Sequence, residues 1–342
     1  MGVVALGTAA LTTVVAVRLW PRSGQAYVAA VLFPIGVALT GAIIINRYDI
    51  VVALVVAALL LCLILRRYTL AALVLGLGFA LKFTPAAILP LILILTGRPR
   101  RWPLPILAFV IAAMAPFVRY LLVSPSGIWH VFEYHLERPL QIESVLGTPM
   151  LLGQLLGAEW ARFGHSHGSH FLVAPGAGVA AASSGVLTLL AVVGVYALIW
   201  RRRRRLLDIP QDQMLAVLAL LLALMTFSKV LSPQYMIWLL PAWALVGATD
   251  RVLAILGALV LLLTQVEFPA LYFRLLYMQP ETVAIVVVRN TLLLAFVAVA
   301  VWRLWRLPER ACADAAPEEA PDNEPAAAGE PSACLLYTSD AA

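Results

Sequence analysis

The chain has 342 residues, 63% of them hydrophobic and only 12% charged, with a mean hydropathy of +0.94. No water-soluble domain of this size carries such a composition, so its solvent must be lipid; continuous Leu- and Ala-rich runs without alternation select helices over a β-barrel. The formal charge of +6 would suit a nucleic-acid partner, but most of the basic residues sit in short clusters between apolar runs, where they read as topology signals, and no nucleic acid is expected.

Taken in chain order, apolar spans are expected near 3–19, 26–46, 50–65, 69–81, 84–97, 103–122, 185–200, 213–228, 236–249, 252–266 and 283–302. That predicts an all-α integral membrane protein, a polytopic bundle of about 11 transmembrane helices over residues 1–310. Met1–Ala16 lacks the basic start of a signal peptide. Basic clusters at Arg18/Arg22, Arg66/Arg67, Arg98/Arg100/Arg101, Arg201–Arg205, Arg251 and Arg303/Arg306/Arg310 follow or precede alternate spans and mark the cytoplasmic face. The parity works if Thr69–Gly97 is a short helical hairpin with Lys82-Phe83-Thr84-Pro85 at its outer apex. The N-terminus of this chain then lies outside a plasma (inner) membrane and its C-terminus in the cytoplasm. Cys62, Cys312 and Cys334 are too few and too scattered for a disulfide framework.

Of the 24 Lys and Arg, those outside the clusters are Arg47, Lys82, Arg119, Arg138, Arg162, Lys229, Arg274 and Arg289. All fall at outer span ends, in outer loops, or, for Arg289, about two turns inside the membrane. Positive-inside bias disfavours that placement, so an outer anionic ligand is a reasonable cause.

The outer loop 124–184 opens with a segment in which Ile128, Phe132 and Leu136 repeat at helical spacing while Glu133 and Glu137 take another face. This predicts an interfacial helix presenting its carboxylates, His135 and Arg138 at headgroup level. The plainer alternative is an amphipathic helix that only packs. Lys229-Val-Leu-Ser-Pro-Gln-Tyr235 joins two spans on the same side, where Pro233 ends a helix and leaves Ser232, Gln234 and Tyr235 available. Its lysine can pair with a phosphate or simply snorkel. Arg47-Tyr48-Asp49 sets a carboxylate beside a guanidinium, as an edge ion pair or as a substrate-binding or catalytic group. His165, His167 and His170 cluster in a Gly/Ser setting with no carboxylate or cysteine to complete a site, and no metal is expected.

The chain resembles the GT-C glycosyltransferases of family 87, the polyprenyl-phosphate-mannose-dependent mannosyltransferases of actinobacterial envelopes. The resemblance is carried by Arg47-Tyr48-Asp49, by Leu75-Gly-Leu-Gly-Phe-Ala-Leu-Lys82-Phe-Thr-Pro85, by Tyr134-His-Leu-Glu-Arg138 with Gln141-Ile-Glu-Ser144, and by Lys229–Tyr235. These cover roughly residues 30–250 in the family's order. It implies a GT-C fold and inverting transfer of a sugar, mannose by analogy, from a polyprenyl-phosphate donor to an envelope glycolipid or glycan at the outer leaflet. A carboxylate would act as general base and cations would take up the leaving phosphate. Lys82, Arg119, Arg138 and Lys229 become the phosphate-binding candidates, and His135, Glu143, Gln234 and Tyr235 the substrate-binding ones. No cofactor is implied.

The family's catalytic acid lies in a first outer loop after the first helix, near a Tyr-Pro-Pro-like stretch, and no such stretch occurs here. The chain is therefore expected to lack one or two N-terminal spans with that loop, leaving Asp49 as the substitute candidate for the base. A membrane transporter or flippase is the rival reading, and a non-catalytic fragment a third. Residues 311–333 are Ala-, Pro- and Glu-rich and expected to form a disordered acidic cytoplasmic tail. Residues 334–342 break that composition and look like the translation of a sequencing-library adapter rather than protein-coding sequence.

Overall fold

In apolar surroundings every backbone N–H and C=O must find a partner within the chain, and here the helix supplies it. A computed structural model describes residues 1–309, of which all but one short hairpin and the connections are helical. The segments expected at 311–333 and 334–342 lie outside the described residues, as do the side chains of Ile128 and Phe132.

The order is α1 (Gly2–Leu19), α2 (Gly24–Thr40), α3 (Ala42–Asn46), α4 (Asp49–Ile64), α5 (Tyr68–Leu81), α6 (Leu89–Leu95), α7 (Pro103–Met114), α8 (Val118–Val123), α9 (Pro125–Glu137) and α10 (Thr148–Leu155). The hairpin β1 (Arg162–Ser166) and β2 (Ser169–Val173) follows. Then come α11 (Ala177–Arg201), α12 (Arg203–Asp208), α13 (Pro210–Thr226), α14 (Met236–Gly247), α15 (Arg251–Gln265), α16 (Tyr272–Leu276) and α17 (Pro280–Arg306). The hairpin expected over 69–97 is present: Lys82 leaves α5 in extended backbone, and a 3₁₀ turn with Pro85 near its start leads into α6.

The span expected over 103–122 is interrupted by a 3₁₀ turn over Ala115–Phe117, and two further boundaries differ from the sequence reading. The single span expected over 26–46 is broken at Gly41, whose φ of +48° suits glycine, and any Cβ there would run into the Gln265 side chain. The loop expected over 124–184 ends sooner than 184, because α11 starts at Ala177 from a left-handed Gly176, and the small residues 177–184 continue the helix without interruption.

Among the described residues, five stretches are long and apolar enough to cross a membrane: Gly2–Leu19, Pro99–Val123, Ala177–Arg201, Arg251–Ala270 and Pro280–Arg306. Their outward faces carry bare apolar side chains, with Val3 84%, Val179 74%, Leu189 62% and Ile111 58% exposed, a surface that only lipid tolerates. The chain is a helical membrane protein. At its centre stand α13 and α14; all twelve residues of α14 are buried, against α2, α4, α13 and α15. Around them α1 packs on α2 and α4, α5 on α4, α17 on α13 and α15, and α11 on α13. The outlying α7 packs chiefly on α5.

The basic clusters converge at one end of this bundle. Arg66 Nη2 donates to the Leu207 carbonyl, and Arg202 Nη2 to that of Trp305. Arg201 pairs with Glu309, Arg205 with Asp212, and Arg303 with Asp250, which also caps α15 by accepting from Val252 N and Leu253 N. Asp49 begins α4 and Arg66 follows its end, so the 16-residue helix sets the two about 24 Å apart.

Close packing of α5 on α7 depends on Gly76, where a Cβ would meet the Phe109 carbonyl oxygen, a backbone atom that cannot rotate away. Gly76→Val is expected to lower stability by about 1–3 kcal/mol, read as an earlier thermal unfolding midpoint in detergent. Gly7→Val, whose Cβ would meet open space, is expected to leave the midpoint nearly unchanged.

Candidate functional site

At the end of the bundle opposite the arginines, residues from four distant segments meet. Asp49, at the first turn of α4, is 1% exposed. Its Oδ1 accepts from Lys82 Nζ at 2.8 Å and from Trp238 Nε1 at 2.8 Å, while its Oδ2 is buried without a partner. The adjacent Arg47 is exposed, so the cation that pairs with Asp49 comes from the hairpin apex and not from its sequence neighbour. Lys82 Nζ also lies 5.2, 4.8 and 5.1 Å from the ring centroids of Tyr48, Tyr235 and Trp238, a cage that compensates its partial burial.

The end of α9 adds a second layer. Lys229 Nζ donates to the Leu136 carbonyl at 2.6 Å, satisfying an acceptor that the helix terminus leaves open and placing a cation where the helix dipole is negative. Arg138 follows directly, its guanidinium 5.7 Å from the Tyr134 ring centroid and its buried Nε without a partner. Lys229 is lowered from the usual lysine range, by burial first and then by Arg138. His135 is also lowered, by partial burial first and then by Arg138, Lys82 and Lys229, so it is a neutral imidazole at neutral pH. Burial pushes the Tyr235 phenol up to about 12, which keeps it a hydrogen-bond donor. Ser232 Oγ donates to Gln234 Oε1 at 3.1 Å in the same turn.

Lys82, Arg138, Lys229, His135 and Tyr235 are thus brought together, with Gln234 beside them. Arg119 is not part of the group: it is exposed on α8 and makes no side-chain hydrogen bond or ion pair among the described residues.

Glu143 lies elsewhere, in a buried network. Residues 138–144 cross from the cation group as a strap: Gln141 N donates to the Lys229 carbonyl, Leu172 N on β2 to that of Leu140, and Ser144 Oγ to that of Ser228. At its far end Gln141 Nε2 donates to Glu143 Oε2 at 2.5 Å, and Arg289 Nη2, from α17, to the Glu143 carbonyl at 3.0 Å. Glu267 Oε2 stands 3.8 Å from Arg289 Nη2. Asn290 Nδ2 donates to Thr148 Oγ1 at 2.8 Å. Glu143, Glu267, Arg289 and Asn290 are at most 1% exposed, yet both Glu267 oxygens, Arg289 Nε and Nη1, Gln141 Oε1 and Asn290 Oδ1 have no hydrogen-bond partner among the described residues. Such a mixture of orphan donors and acceptors is what internal water satisfies.

The sequence left Glu267 and Trp238 unremarked. Glu267 could have been found as a lone carboxylate closing an apolar run, with Arg289 its lone counterpart in the next. Nothing local signals Trp238.

The three loop histidines separate. His165 and His170 face each other across the β1–β2 hairpin, with ring centroids 5.0 Å apart. The His170 Nδ1 shares a hydrogen bond of 2.9 Å with the Tyr272 hydroxyl. His167 packs against Tyr134, whose hydroxyl donates to the His167 carbonyl.

No protein-family model, curated protein or solved structure matches the chain.

Removing one partner of a buried ion pair costs about 3–5 kcal/mol because the other charge is left behind. Lys82→Met is expected to destabilise on that scale, and Lys82→Met with Asp49→Asn to recover part of the loss, checked by a double-mutant cycle of unfolding free energies. Glu143 supplies a pH signature: its carboxyl is held well above the ordinary range, by burial first and then by Glu267, against the pull of Arg289. A group raised in the folded state stabilises fully below its ordinary value and loses that contribution as pH rises through the raised one. The thermal midpoint is therefore expected to fall as pH rises above the ordinary carboxylate range, and Glu143→Gln to flatten the fall.

Proposed function

We propose that this chain is a GT-C type glycosyltransferase that moves a sugar, mannose by resemblance, from a polyprenyl-phosphate donor to an envelope glycolipid or glycan. The observation that carries the reading is the convergence of Lys82, Arg138 and Lys229, from three segments far apart in sequence, around a neutral His135 and a protonated Tyr235. A departing lipid phosphate needs that combination of fixed cations and donors. Arg138, with an unused buried Nε, is the group we assign to the phosphate itself. Asp49 is already engaged by Lys82 and Trp238, and its part in our reading is to orient Lys82.

In the same reading the arginine-rich end faces the cytoplasm, by the positive-inside rule, and the cation group faces the outer leaflet of the plasma membrane after about 11 crossings. Membrane lipid, the polyprenyl-phosphate sugar and the glycan acceptor are the partners.

A second reading, a transporter, draws on one observation: Glu267 and Arg289 are buried charges in apolar helical stretches, a common feature of ion and substrate paths. Reconstituted protein given polyprenyl-phosphate-[14C]mannose and membrane lipid decides between them. A labelled glycolipid is expected, its rate reduced about 10²–10³-fold by Arg138→Gln. Movement of the lipid-linked sugar across the bilayer without a transfer product would overturn the transferase.

A further inference from the structure

Away from the cation group, the loop layer forms an open surface cleft of about 490 Å³ lined in part by Gln154, Glu159, Arg162, Phe163, Tyr277 and Met278. Its volume falls within the range of small-molecule sites. The cleft lies where the α10–β1 connection meets the turn between α16 and α17. It belongs to the same layer as the phosphate candidates, because β2 pairs with residues 140–142 of the strap that begins at Arg138.

Three properties of this cleft ask for a ligand. The first is aromatic surface that the fold does not use: Tyr277 is 75% and Phe163 40% exposed, with ring centroids 6.3 Å apart and ring planes at 80°. The second is its polar lining, which carries both signs and an amide. Glu159 and Arg162 are exposed and neither is in an ion pair among the described residues, while Gln154 is held in place by accepting from Ala161 N at 3.0 Å. The third is backbone shape. Glu159 and Met278 both adopt left-handed φ values, +47° and +53°, which cost a non-glycine residue free energy that the surrounding structure must supply.

The chemistry narrows the ligand. A phosphate alone would be repelled by Glu159, a simple cation by Arg162, and a lipid tail by both. A hexose ring satisfies all three sets of groups. Its C–H face lies against an aromatic ring, and each hydroxyl can donate to a carboxylate and accept from a guanidinium or an amide.

We propose that this cleft binds a carbohydrate, with a sugar ring against Tyr277 and Phe163 and its hydroxyls held by Glu159, Arg162 and Gln154. Its role as the docking site of the glycan acceptor rests on the transferase reading above; the binding itself does not. Exposed aromatic rings also gather at membrane–water boundaries, where they need no charged partners. The substitutions are chosen to separate the two explanations.

The test uses the full chain in lipid nanodiscs, titrated with manno-, gluco- and galacto-oligosaccharides by calorimetry and saturation-transfer NMR. At least one of these sugars is expected to bind. Tyr277→Ala and Glu159→Gln should each weaken it by about tenfold or more, and Tyr277→Phe should leave it nearly intact. Thermal unfolding of each variant serves as the check on folding. No binding of any of the three sugars by folded protein, or equal binding by the Tyr277→Ala and Glu159→Gln variants, overturns the proposal. Transfer kinetics separate it from the parent reading. Transfer with an acceptor KM indifferent to Glu159→Gln removes the cleft and leaves the transferase standing, whereas sugar binding by a protein that never transfers does the reverse.

Discussion

Burying a guanidinium in an apolar bundle is the constraint around which this fold is arranged. Arg289 has no exposed surface, and an unpaired charge there would cost several kcal/mol even after relaxation. The chain meets that demand by bringing Glu267 from the preceding apolar stretch and the backbone carbonyl of Glu143 from a loop 146 residues upstream. Because Asn290, the next residue on α17, holds Thr148 and the Ser144 carbonyl, two neighbouring positions fasten the whole 138–148 segment to the bundle. The strap in turn orders β2 through Leu140 and the α13–α14 connection through Gln141 and Ser144.

The ordering of the loop is what gives the cation group its geometry. Arg138 is the first residue of the strap and Lys229 lies in the connection that the strap pins, so two of the three converging cations depend on contacts made several residues away. The third, Lys82, depends on Asp49 and on an aromatic cage whose members come from two distant parts of the chain. Like charges gathered in this way repel, and the lowered values at Lys229 and His135 record that repulsion along with their desolvation. An anion entering the group would relieve it.

The helices and the hairpin at 69–97 were legible because composition and basic clusters act over whole segments and need no knowledge of neighbours. Helix ends were less so. Gly41 breaks a run that hydropathy reads as continuous, since hydropathy does not register backbone conformation, and Ala177–Ser184 look like loop until the left-handed Gly176 is known to start a helix. Of the site, Lys82, Arg138 and Lys229 could be singled out as cations outside the basic clusters, and His135 and Tyr235 by their places in the amphipathic loop segment and the turn at Pro233. Their partners could not. Asp49 sits next to Arg47 in sequence but pairs with a lysine 33 positions on, and Trp238 reads as one more apolar residue until its indole N–H is seen to reach the same carboxylate.

The lengths of the central and outer helices differ in a way that bears on how any lipid-borne molecule would arrive. The fully buried α14 has 12 residues, about 18 Å, while α17 beside the core has 27, about 40 Å, against an apolar bilayer thickness of about 30 Å. Polar turns at the ends of so short a helix fall within the depth that its taller neighbours span. Tyr235, immediately before α14, stands at such a turn. In the proposed reading, a lipid-linked headgroup could reach that turn sideways from the membrane while its chain stays among the acyl tails.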